Sequence, residues 1–131
     1  MKKLFAEQAD TLKVMTYATD IRPITSPIPL SQALEGVQGL DWSLCPDTEL
    51  TVSGVSVSSI DIEDNWLFVA IPGLVQHGIR FLHAAVEAGA TAVVTDREGS
   101  ERAREMNPDI PIVIVADPRR ASATIAANIY R

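Results

Sequence analysis

The stretch from Asn65 to Asp96, NWLFVAIPGLVQHGIRFLHAAVEAGATAVVTD, constrains the fold more than any other part of the chain. Trp66 to Ala70 is a continuous apolar run, the pattern of a strand covered on both faces. Pro72-Gly73 breaks it, Gly78 opens a helix, and Gly89 closes that helix. A second apolar run, Ala92 to Thr95, ends at the polar Asp96. The unit is β-α-β, and it puts the loop Ile71–Gly78 at the carboxyl end of its strand, where ligands bind in open α/β sheets.

The same order continues to the end of the sequence. The spacing predicts a helix over Ile79–Ala88 with Leu82, Ala85 and Val86 on its apolar face. A charged helix Gly99–Met106 follows, stopped by Asn107-Pro108, with mixed-sign pairs among Glu98, Glu101, Arg102, Arg104 and Glu105. After a strand Ile112–Val115, Asp117-Pro118 reads as an N-cap with proline at the first helical position. The last helix carries Ala121, Ile125 and Ile129 on one stripe. Three strands each followed by a helix imply an α/β fold with a mainly parallel sheet and flanking helices.

Upstream the pattern is less regular. Residues 1–29 read as a lead-in, with a short helix over Glu7 to Tyr17 and an extended stretch from Arg22-Pro23 to Pro29, where three prolines fall within seven residues. Leu30, Leu34 and Val37 share a face of a helix that begins near Ser31 and stops by Gly39. Leu50 to Val57 reads as one strand of mixed polarity, at a sheet edge or ending at a ligand.

Composition narrows the function. The chain has 131 residues, 47% apolar and 21% charged, which suits a single globular domain of residues 30–131 behind the lead-in. A net charge of −6 argues against a nucleic-acid partner and against an anionic membrane surface. Lone Cys45 forms no internal disulfide and reads as a small buried apolar residue. Glu7, Gln8 and Asp10 interrupt the start before any signal-peptide core forms, and no run reaches the ~20 apolar residues that span a bilayer. A cytoplasmic protein is expected.

No catalytic signature is present. The sequence lacks Gly-x-x-x-x-Gly-Lys-Ser/Thr and Gly-x-Gly-x-x-Gly. His77 and His83 are six apart and pair with no second ligand at metal spacing. Binding rather than catalysis is therefore expected, and three places qualify. The loop Gly73–Gly78 offers backbone donors and Gln76 to a planar polar group such as a nucleobase, or is an ordinary βα connection. Val57-Ser58-Ser59-Ile60 faces a ligand or caps a turn. Asp117-Pro118-Arg119-Arg120 holds phosphate, or is a solvated first turn. His83 is expected on the exposed side of its helix.

From Gly54 to Tyr130 the chain resembles the N-terminal domain of Mur ligases, most closely the MurE type. The residues that carry the likeness are Gly54-Val55-Ser56-Val57-Ser58-Ser59, Leu67 to Gly73, Gly78, Phe81, Ala85 through Gly89 to Val94, Asp117-Pro118-Arg119 and Ile129-Tyr130, in family order. The resemblance implies that the domain binds the uridine diphosphate end of UDP-N-acetylmuramoyl-L-alanyl-D-glutamate, with uridine contacts on Val57, Ser59, Leu74, Val75 and Gln76. It implies ATP and Mg2+ for the full-length ligase, none in this part, and central and C-terminal domains as further partners beyond an excised piece. Ser58-Ser59-Ile60 stands where the family has Asp-Ser-Arg, and His77 replaces the Asp of Asp-Gly. Those departures suit a degenerate, non-catalytic scaffold as the alternative; a MurF-type domain is another.

Overall fold

The computed structural model of the chain describes residues 26–130. The helix expected over Glu7 to Tyr17 lies outside them. Four parallel strands form the central sheet: β3 (Gly54–Ser56), β4 (Trp66–Val69), β5 (Ala90–Thr95) and β6 (Ile112–Ile114), neighbours in that order. Helices α2 (Leu82–Ala88), α3 (Arg97–Met106) and α4 (Pro118–Tyr130) follow β4, β5 and β6. A short antiparallel pair precedes them, β1 (Ile28–Pro29) with β2 (Thr51–Val52), together with helix α1 (Leu30–Ala33).

Alternation along the strands divides the core in two. Leu67, Val69, Ala92, Val94, Val113 and Val115 point to one face and pack with Leu30, Leu34, Ala121, Ile125 and Ile129. Phe68, Ala70, Val93, Ile112 and Ile114 point to the other, against Ile79, Leu82, Ala85 and Ala103. Helices therefore cover both faces, which is why the strands are apolar throughout and not alternating. The α4 stripe Ala121, Ile125, Ile129 is buried as its spacing predicts.

Several boundaries differ from the sequence expectation. Leu50–Val57 is two strands in two sheets, because the chain turns a corner at Ser53. There the Ser53 N–H donates to Asn65 O at 2.9 Å, and Asn65 Nδ2 donates to Ser53 Oγ at 3.1 Å. Gly54–Ser56 is nonetheless the edge strand of the main sheet. Helix α1 ends well before Gly39: Gly36, at φ +86°, takes the left-handed conformation that stops a helix. The segment opened by Gly78 begins as a 3-10 turn, Gly78–Phe81, before α2.

Both sheet edges are covered, which removes the exposed pairing groups that invite association. On the β3 side the Val55 N–H donates to Tyr130 Oη at 3.0 Å, and that hydroxyl donates to Val55 O at 3.4 Å. On the β6 side Asp41 bridges Ile114, with Asp41 N–H to Ile114 O at 2.8 Å and Ile114 N–H to Asp41 O at 3.1 Å. The Ser43 N–H, donating to Asp41 Oδ1 at 2.9 Å, holds the Asp41 carboxyl below its usual range. Tyr130→Phe removes the only side chain on Val55's backbone groups among the described residues and keeps the ring. We expect it to cost about 1 kcal/mol, read as a lower urea midpoint, with faster amide exchange at Val55.

Candidate functional site

The carboxyl ends of β3 and β4 lie side by side, because Ser56 is in register with Phe68. Each strand releases one of the segments that the sequence singles out. After β3, Val57 is half exposed, the Ser58 N–H donates to Ser56 Oγ at 3.0 Å, and Ser59 opens a 3-10 turn, Ser59–Asp61. Ile60, next to it, is 91% exposed. This segment packs beside α2.

After β4 the chain makes a miniature hairpin. Pro72 and His77 form an antiparallel bridge, and the Gly73 N–H donates to Gln76 O at 3.1 Å, closing a tight turn over residues 73–76. Leu74 and Val75 form its tip and lie wholly in solvent. Gln76 is exposed, and its side-chain oxygen accepts from the Arg80 guanidinium, which also stands over the Phe81 ring at 5.4 Å from its centroid. Val57, Ser59, Leu74, Val75 and Gln76 thus follow the carboxyl ends of two adjacent strands, with the apolar side chains Val57, Leu74 and Val75 facing water.

The base of the hairpin is tightly held. His77 is buried, and its Nδ1 accepts from the Ile79 N–H at 3.0 Å. Its Nε2 lies 2.8 Å from Asp96 Oδ1, at the end of β5. The same Asp96 oxygen accepts from the Gly99 N–H at 2.9 Å and so caps α3. This cap is why α3 starts at Arg97 and not at Gly99. The Thr95 hydroxyl donates to Ala70 O at 3.1 Å, and the Gly78 N–H to Ile71 O at 2.9 Å. A Cβ on Gly99 would stand 2.0 Å from Thr95 Oγ1 and 2.8 Å from His77 Cε1, so glycine is required where α3 meets this junction. In the sequence alone His77 lacks metal-ligand spacing and Asp96 marks only a strand end. The available signal was Asp96 three residues before Gly99 and His77 immediately before Gly78, both N-cap positions.

The other candidates separate from this edge. Asp117 Oδ1 accepts the N–H groups of Arg119 and Arg120 at 3.1 and 3.3 Å, the cap expected from sequence, and both arginines are exposed. They lie at the end of β6, two strands from β4. His83 is exposed on α2, and Cys45 is buried, with burial pushing its thiol up. Among the described residues no group of three or more His, Cys, Asp or Glu could hold a metal ion, and no helix is long and apolar enough to cross a membrane.

A parallel sheet with these two loops at its carboxyl edge and the ordered motifs above defines a known class. The family model described as "Mur ligase family, catalytic domain" matches residues 51–130, and the chain belongs to that family. Within it, UDP-N-acetylmuramoyl-L-alanyl-D-glutamate--2,6-diaminopimelate ligase of Streptomyces avermitilis is 35% identical over 117 residues, covering 88% of this chain and 22% of that protein. UDP-N-acetylmuramyl-tripeptide synthetase of Leifsonia xyli subsp. xyli is 42% identical over 80 residues, covering 61% of this chain and 15% of that protein. The chain spans about a fifth of the length of the curated relatives it matches. In fold it is similar to UDP-N-acetylmuramoylalanyl-D-glutamyl-2,6-diaminopimelate--D-alanyl-D-alanyl ligase from Acinetobacter baumannii. That match has a TM-score of 0.58 and 19% identity, and covers 83% of this chain and 22% of that one.

Proposed function

We propose that residues 30–131 are the UDP-substrate-binding domain of a MurE-type ligase that adds an amino acid to UDP-N-acetylmuramoyl-L-alanyl-D-glutamate. The observation that carries this reading is that Val57–Ser59 and the Leu74–Gln76 turn follow the carboxyl ends of two neighbouring, in-register strands. Exposed Val57, Leu74 and Val75 suit the faces of a flat base, and the turn's N–H and C=O groups suit its polar edge. The names of relatives that are 34–35% identical over 88% of the chain supply the substrate. Ile60 stands where the family has arginine, so recognition here relies on Ser59 and main chain more than on a charged side chain.

In this reading the domain supplies position. Fixing the nucleotide end of a long substrate holds its distal carboxylate in reach of the reacting centre, and such positioning is a large part of many rate enhancements. ATP and Mg2+ belong to the family's central domain, where they would activate the carboxylate. Residues 51–130 contain no Gly-x-x-x-x-Gly-Lys-Ser/Thr loop, so no step of that chemistry is assigned to this chain. Its remaining partners are the central and C-terminal domains of such a ligase, and its compartment is the cytoplasm, where the substrate is made.

Titration of the chain with UDP-N-acetylmuramoyl-L-alanyl-D-glutamate, followed by amide chemical shifts, checks the proposal. Saturable shifts at Ser59 and Leu74–Gln76 are expected, even at millimolar affinity. A folded sample that stays silent at several millimolar nucleotide would leave a scaffold domain instead.

A further inference from the structure

We infer that His77 and Asp96 are a positioning pair that sets where the Leu74–Gln76 turn stands on the sheet edge; as a statement about ligand binding, this rests on the reading just proposed. Of residues 72–77 only His77 is buried; the other five are exposed. The turn's side chains therefore lie outside the core, and apart from the Gln76–Arg80 contact its placement is set at its base. At that base the imidazole works in two directions. Because Nδ1 accepts from the Ile79 N–H, the ring proton sits on Nε2, which donates to Asp96. One nitrogen fixes the hairpin to the helix that follows it. The other fixes it to the end of the next strand, where Asp96 is itself held by the Gly99 N–H.

The family's aspartate at position 77 could do only the first of these. It could cap the Ile79 N–H, but facing Asp96 it would place two carboxylates together, whereas histidine meets Asp96 with a donor. In this chain the base of the turn is consequently pinned both to the helix that follows it and to the end of the next strand. A small displacement of a positioning group is costly to a bound ligand's alignment, so loss of the pair should lower affinity as well as stability.

Two substitutions divide the two bonds. His77→Asn keeps an acceptor where Nδ1 stands and loses the reach to Asp96. His77→Gln carries its amide nitrogen to the place of Nε2 and gives up the cap. Titrated as a folded sample with UDP-N-acetylmuramoyl-L-alanyl-D-glutamate, H77N should bind about tenfold or more weakly than the parent, with a lower unfolding midpoint from the lost buried hydrogen bond. H77Q should recover most of that loss. In ligand-free samples the Leu74–Gln76 amide shifts should move in H77N and return toward the parent in H77Q. Parent-like shifts and affinity in H77N, or equal losses in both variants, would overturn the inference. Long-range proton–nitrogen correlation on the unaltered protein tests it without any variant: the ring must be protonated at Nε2, and an Nδ1-protonated ring sinks it. A parent chain that binds no nucleotide rejects the proposed function alone, since tautomer and ligand-free shifts still judge the pair.

Discussion

Leu67→Ala is expected to destabilise the domain by about 2–5 kcal/mol, a large share of what a domain of this size has. Leu67 is fully buried in β4, between Val55 of β3 and Ala92 of β5. Its side chain belongs to the cluster that α1 and α4 close with Leu30, Leu34, Ile125 and Ile129. Truncation leaves a hole walled by two strands and two helices, none of which can settle inward without breaking ladder or cap hydrogen bonds. The result should be a lower urea midpoint with unchanged slope, the sign of lost stability without a change in compactness. Leu74→Ala is the contrast. Leu74 is wholly exposed, so its removal should leave stability within about 0.5 kcal/mol. If the proposed function holds, that change weakens nucleotide binding instead.

The second large effect is expected at Gly89. Its φ of +122° lies where side chains are rarely tolerated, and an added Cβ would stand 2.6 Å from Asp64 Cα and 2.8 Å from Asp64 N. Both obstacles are backbone, and the same segment is fixed by the Asn65 N–H donating to Gly89 O at 2.9 Å. Strain and collision add, and Gly89→Ala should cost about 3 kcal/mol or more. Gly36→Ala shares the strain without the collision, since φ is +86° but the nearest atom is 3.8 Å away. It should cost only about 1–2 kcal/mol. Comparing the two midpoints by thermal or urea unfolding separates the two contributions.

The main sheet could be read in the sequence because its signals are local. An apolar run, a glycine at Gly89 and a capping Asp117 each state an element without reference to the rest of the chain. The split of Leu50–Val57 could not be read so, because it depends on Asn65, twelve residues from Ser53, at a positive φ of 68°. The hairpin's exposure was implicit in Pro72-Gly73 and Gly78. Its anchoring was not, since His77 and Asp96 are nineteen residues apart and meet only because β4 and β5 are neighbours. Tyr130 was legible as the end of a family motif, while its reason, two hydrogen bonds to the edge of β3, needed the fold.

The closure of the β3 edge has a consequence in time. Tyr130 reaches Val55 across 75 residues, and Asn128 Nδ2 donates to Ala33 O across 95 and to Glu35 O across 93. The first strands and helix of the domain are thus completed by its last helix. Bringing such distant parts together costs loop-closure entropy before any contact repays it, which slows folding. On a ribosome, β1, α1 and β3 emerge early and must wait for α4, with Leu30 and Leu34 uncovered in the interval. The local β4–α2–β5 unit is the part able to form first, and the domain becomes whole only when α4 arrives.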